Sequence, residues 1–157
     1  MPPQFLFDLS AIDLDATLFG IERIREFNPQ RHAMEHLDAI VWADVEQKGL
    51  IARKTLRDDE FWIPGHIPGR PLMPGVIMLE AGAQAACFYT KMYIGMTGFI
   101  GFGGTGDTKF RAEVKPGDTL YLLVKHDWTR HRRVGSRVQG VVRGQLAFET
   151  EIVGVQM

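Results

Sequence analysis

Cysteine is all but missing from this sequence: Cys87 is the only one in 157 residues. That excludes an intramolecular disulfide framework and any metal site built on clustered cysteines. An excess of one charge is missing too. Lys and Arg number 18 against 19 Asp and Glu, for a net charge of −1, so the usual electrostatic case for a nucleic-acid or membrane-surface binder is lost. No apolar run reads as a membrane span, because the longest candidate is broken by Glu80 and Gln84. The opening stretch MPPQFLFDLSAIDLD lacks a basic start and a long apolar run, and it carries Asp8, Asp13 and Asp15, unlike a signal peptide. A cytoplasmic protein is the resulting expectation. What is present is globular: 45% hydrophobic and 24% charged residues, in a chain long enough for one core and one domain over 1–157. Seventeen glycines favour tight turns over a helical bundle.

No repeat or low-complexity linker divides the chain. Leu18, Ile21, Ile24 and Phe27 fall at helical spacing, which predicts a short amphipathic helix from about Ala16 to Phe27, stopped by Asn28-Pro29. LDAIVWADVEQ and LIARKTLR flank Lys48-Gly49 and predict a β-hairpin. Residues 64–75, PGHIPGRPLMPG, hold four prolines and three glycines in twelve positions and must form a stiff irregular loop. Pro74 suits the first turn of a helix. The following VIMLEAGAQAACFYTKM is apolar nearly all round, so that helix must be buried on most sides. After Gly95 come FIGFGG, TKFRAEV, TLYLLVKHDW, RVGSRVQGVV and QLAFETEIVGVQ, all β-rich and separated by turn residues. An α+β arrangement follows, with an antiparallel sheet wrapped around one long apolar helix.

Glu80 is the only charged residue between Arg70 and Lys91 and lies inside that helix. Carboxylates are rarely buried without a partner or a purpose. Burial favours the neutral acid, a group that can protonate a leaving group; the bland alternative is a structural carboxylate satisfied by backbone or water. Gln84 lies one turn on, on the same face. His66, held between Gly65 and Pro68 in the stiff loop, supplies an imidazole, the natural general base near neutral pH. At the helix start, Gly75 and Val76 offer free amides at the positive end of the dipole, where an anionic oxygen could sit; Gly75 alone could equally serve loop packing. A base, an acid and an oxyanion donor on one segment suit proton abstraction beside a carbonyl and loss of a β-substituent.

The run Gly65-His66-Ile67-Pro68-Gly69-Arg70-Pro71-Leu72-Met73-Pro74-Gly75-Val76, with Glu80-Ala81 and Ala83-Gln84, resembles the GHFPGxPxMPGVxxxEAxAQ signature of the (3R)-hydroxyacyl-[acyl-carrier-protein] dehydratases of the FabZ type. Glu80 rather than Asp points to the FabZ-like over the FabA-like branch. Pro29, Arg31 and Asp38 fall in register with the family's PHRxPFLLVD segment, and Lys109-Phe110-Arg111 with Pro116-Gly117-Asp118 resembles its KFR and PGD runs. Departures are Gln30, Ala33, Glu35 and His36, in place of His, Pro and two aliphatics, and Ile67 in place of Phe. The 15-residue N-terminal extension has no assigned counterpart.

The resemblance implies a hotdog fold and a homodimer, with a trimer of dimers as a larger assembly. It implies active sites that take the His from one subunit and the Glu from the other. His66 would remove the C2 proton of a 3-hydroxyacyl thioester on acyl carrier protein, and Glu80 would protonate the departing hydroxyl. Gly75, with Val76 and Gln84 nearby, would hold the thioester, and no metal or other cofactor is implied. The basic cluster Arg130, Arg132 and Arg133, with Lys125, is either a solvated turn or a docking patch for the acidic carrier. Two other signals are set aside. His32-Ala33-Met34-Glu35-His36 fits H-x-x-E-H but leads into a strand, and Gly101 to Gly106 lack a P-loop ending and read better as a bulged strand. A hotdog thioesterase, an enoyl-CoA hydratase and a non-catalytic acyl-binding protein are the competing readings.

Overall fold

Six strands and two helices account for most of residues 4–157, which the computed structural model describes; Met1, Pro2 and Pro3 of the N-terminal extension lie outside the described residues. In chain order they are α1 (Ile21–Phe27), β1 (Ala39–Asp44), β2 (Gly49–Thr55), α2 (Gly75–Tyr89), β3 (Ile100–Phe110), β4 (Thr119–Arg130), β5 (Arg133–Val142) and β6 (Gln145–Gln156). The strands form one antiparallel sheet in the order β1-β2-β4-β5-β6-β3. β4 and β5 meet at His131-Arg132, and β5 and β6 at Arg143-Gly144. His131, Arg143 and Gly144 all have positive φ, as two-residue hairpin turns require.

Alternation along the strands fixes which face meets α2. Leu120, Leu122 and Val124 of β4 point into the main core with Val138, Val142, Phe148 and the buried face of α2. Gly82 lets the helix approach closely, since a Cβ there would meet Val138 Cγ1 at 2.8 Å. Phe88 closes the core edge-on to Phe27, with ring centroids 5.3 Å apart. α2 is not covered on all sides, however. Val76, Glu80, Ala83 and Cys87, spaced four, three and four residues apart, form a stripe that its own chain leaves partly or wholly open. No helix among the described residues is long and apolar enough to cross a membrane.

The N-terminal extension has a definite place. Phe7, Leu9, Ile12 and Leu14 cover the opposite face of the sheet and build a second core with Val41, Ile51, Leu123 and Val141. Phe7 packs on Trp42 at 4.9 Å, and Gln139 clamps the segment by accepting from Leu6 N and donating to Gln4 O.

Three expectations need correction. α1 starts at Ile21, not near Ala16, because Leu18 and Phe19 donate to Ile40 O and tie the preceding residues to β1. Pro74 caps α2 from outside, so the helix begins one residue later than its motif suggested. Ile100–Gly104 of FIGFGG and Thr108–Phe110 of TKFRAEV lie in the single strand β3. Its register against β6 shifts between Phe102 and Gly104 and again between Gly106 and Lys109, so the glycines bulge the strand rather than end it.

Candidate active site

A buried ion pair anchors the start of the loop that leads into α2. Lys54 Nζ lies 3.1 Å from both oxygens of Glu60, which also accepts from Arg57 N. Buried Trp62 then accepts at its carbonyl from His66 N at 2.8 Å, and Met73 N donates to Val114 O. Ile67 is forced to φ +58°, a conformation unfavourable to a β-branched residue, and Gly69 to φ +83°. The loop is therefore held at both ends and bent sharply at His66.

His66 Nδ1 is 3.0 Å from Leu72 O. A carbonyl can only accept, so Nδ1 carries the proton, and in the neutral ring Nε2 keeps the free lone pair of a base. The half-buried ring borders an apolar groove of about 660 Å³ that it shares with Pro74, Gly75, Val76 and Phe110. The first-turn backbone bonds of α2 begin with Ile77 and Met78 donating to Pro74 O, which leaves the Gly75 and Val76 amides without partners inside the helix. Gly75 lets the Phe110 ring lie against the helix start: a Cβ there would meet the ring at 2.8 Å and displace it.

Glu80 borders a different groove, of about 190 Å³, with Ala83, Cys87, Phe99, Phe102 and Ile152 among its walls. Glu80 is only half-buried by its own chain. Glu80 Oε1 accepts from Gln84 Nε2 at 3.0 Å. Burial pushes the Cys87 thiol pKa up, which disfavours the thiolate.

Within one protomer His66 and Glu80 thus face separate grooves, both apolar, and the open stripe of α2 runs from one to the other. Gln84 stands where it was assigned, in the wall of the Glu80 groove, but it is 3% exposed, its Oε1 accepts from His36 N, and its Nε2 donates to Met34 O and Glu80, so both Nε2 protons are taken by the protein. Arg130, Arg132 and Arg133 stand exposed at the β4–β5 turn, in no ion pair among the described residues. The turn adjoins Val134, which lines the Glu80 groove. Lys125 does not join them. It lies further back on β4, half-buried, with Nζ 5.9 Å from the centroid of the Phe7 ring.

Sequence spacing missed Phe110 and the partners of Gln84, because each reaches the site from a distant part of the chain, and it missed Leu72 O, six residues from His66, because a main-chain carbonyl leaves no residue-type signal. The H-x-x-E-H residues do not share a helix face. His32 starts a short 3₁₀ turn, Glu35 pairs with Arg25, and the His36 ring is buried with no partner for either nitrogen.

Comparison with known proteins bears on the family and the fold. Residues 28–154 match the family described as the FabA-like domain. The chain is 35% identical over 133 residues to the 3-hydroxyacyl-[acyl-carrier-protein] dehydratase FabZ of Oenococcus oeni, covering 83% of this chain and 94% of that one. It is 32% identical over 138 residues to the FabZ of Chlamydia trachomatis, covering 86% and 90%. Among solved structures, the dehydratase heterocomplex ApeI:P from Xenorhabdus doucetiae superposes with a TM-score of 0.71 at 12% identity, over 85% of this chain and 90% of that one. Cj0977, a sigma28-regulated virulence protein from Campylobacter jejuni, does so with 0.68 at 17% identity, over 93% and 96%. At such identities these likenesses bear on the fold alone, which is the hotdog fold.

Proposed function

The chain belongs to the FabA-like family, and from that premise we propose that His66 and Glu80 form an acid–base pair shared between two copies of it. The enzyme is a 3-hydroxyacyl-[acyl-carrier-protein] dehydratase of acyl-chain biosynthesis, converting (3R)-hydroxyacyl thioesters to trans-2-enoyl thioesters and water. His66 Nε2 takes the C2 proton, and the charge that develops on the thioester oxygen meets the Gly75 amide, with Val76 beside it. The C3–O bond breaks as the Glu80 carboxylic acid delivers its proton to the departing hydroxyl, which leaves as water. An imidazolium and a carboxylate remain and exchange their proton through solvent before the next turnover. Gln84 contributes by holding Glu80.

The single observation that carries the shared site is the pair of separate grooves: a half-covered acid and an aimed base that do not meet in one protomer. Two features support a homodimer as the means of joining them. The outer edge of β3 pairs with no strand among the described residues. Phe102 and Phe110 on β3 are 48% and 51% exposed, and Val76 at the start of the open stripe is 70% exposed. An edge strand with unpaired N–H and C=O groups and exposed aromatic side chains invites pairing with another chain. A second copy against β3 would add its own α2 stripe to the groove and exclude water from Glu80.

Mixing the inactive variants His66→Ala and Glu80→Gln tests the sharing. Each mixed dimer keeps one intact site of its two, and random exchange makes about half the dimers mixed. About a quarter of wild-type activity should therefore return in the ultraviolet assay for enoyl thioester. No recovery after verified subunit exchange rules out the shared site.

The exposed tip Arg130, Arg132 and Arg133, beside the Glu80 groove, is the docking element for the acidic carrier in this reading. Reversing all three to Glu should raise KM for the carrier-bound substrate about tenfold or more, and weaken its salt dependence. The same change should leave KM for a short N-acetylcysteamine thioester within about twofold. Equal effects on both substrates count against docking there.

A further inference from the structure

The segment from Asn28 to His36, where the sequence departs most from the family's pattern, is bolted onto α2 at one residue. Asn28 Nδ2 donates to the Gln84 carbonyl at 2.9 Å, His36 N donates to Gln84 Oε1 at 3.0 Å, and Gln84 Nε2 donates to Met34 O at 2.8 Å. The remaining Nε2 proton goes to Glu80 Oε1 at 3.0 Å. Every strong function of this amide has a partner, and Asn28, His36 and Gln84 are all buried. Gln84 therefore cannot turn without breaking bonds to the segment, and its fixed amide limits the directions that the half-buried Glu80 can take.

We infer that the Asn28–His36 segment sets the direction of the Glu80 carboxyl group through Gln84, a positioning residue for the dehydration that touches no substrate. This rests on the assignment of Glu80 as the acid. The physical argument is preorganisation. A carboxyl group on a two-carbon stem beside an open groove samples several rotamers, and a donor whose amide is locked at two other points, on a helix residue whose main-chain carbonyl is also bound by Asn28, selects one of them. A residue that merely packed against α2 would need none of this bonding, and an aliphatic side chain would serve as well.

The test is a double-mutant cycle read as kcat and KM on (3R)-hydroxybutyryl thioester. Gln84→Leu should lower kcat by between about tenfold and about a hundredfold, with KM changed less than about threefold. Glu80→Asp keeps an acid but withdraws it by roughly 1.5 Å, out of reach of the Gln84 amide. In that background Gln84→Leu should cost less than about threefold in kcat. Should Gln84→Leu fail to fold, Gln84→Glu retains the acceptor for His36 N, loses the donor to Glu80, and enters the same cycle. An equal loss in both backgrounds, or no loss in the first, overturns the positioning role. Full activity of Glu80→Gln would instead remove the acid assignment, an outcome separable from either of these.

Discussion

His66→Ala and Glu80→Gln should each lower kcat for enoyl thioester formation by roughly 10²–10⁴-fold, the range in which a positioned acid or base contributes. His66 loses a base whose reactive nitrogen is defined by the bond from Nδ1 to Leu72 O. Glu80→Gln keeps the shape and the neighbouring Gln84 but has no proton to give. Neither residue is part of the buried core, so melting temperature should change little, which separates lost chemistry from lost fold. The carrier-bound and coenzyme A thioesters should be affected alike, because both residues act on the reacting carbons and not on the carrier. A wild-type rate in either variant removes that residue from the mechanism.

Acid lability is the second large effect expected. The His36 ring is wholly buried, neither nitrogen has a protein partner, and Lys54 lies close by. Burial first, and the Lys54 charge second, push its pKa down to about 4, against a pull upward from Glu60. The unfolded chain therefore takes up a proton near pH 6.5 that the folded chain refuses until about pH 4. Stability is complete above pH 6.5 and falls as the pH drops through that window. This group alone costs about 2 kcal/mol at pH 5 and about 3 kcal/mol near pH 4. His36→Leu, which restores an aliphatic side chain at this position, should remove that loss. The gap in stability between variant and wild type, read by urea unfolding at pH 7.5 and pH 5, should widen by about 2 kcal/mol on acidification. Parallel pH dependences would mean that His36 titrates normally in the folded protein.

Local pattern sufficed for the apolar helix, the proline-rich turn before it, and the strands and their short hairpins, and it offered His66 and Glu80 as candidates for elimination chemistry. These are local matters. Four prolines leave the loop few backbone choices, and alternation or its absence tells strand from buried helix. Where distant contacts decide, the pattern misled or fell silent. The helical spacing from Ala16 was overruled by the bonds of Leu18 and Phe19 to Ile40, and the segments read as separate on either side of Gly103-Gly104 are one strand, bulged as its glycine run predicts. Lys125, grouped with the arginines by proximity in sequence, is taken up by Phe7 of the N-terminal segment. It took the folded chain to show that this segment builds a second core, that Gln84 is locked by residues about fifty positions upstream, and that His66 and Glu80 of one chain open into different grooves. The physical reason is common to all three. Hydrogen-bond partners and burial are set by which parts of the chain meet in space, and such meetings leave no mark in a short window of sequence.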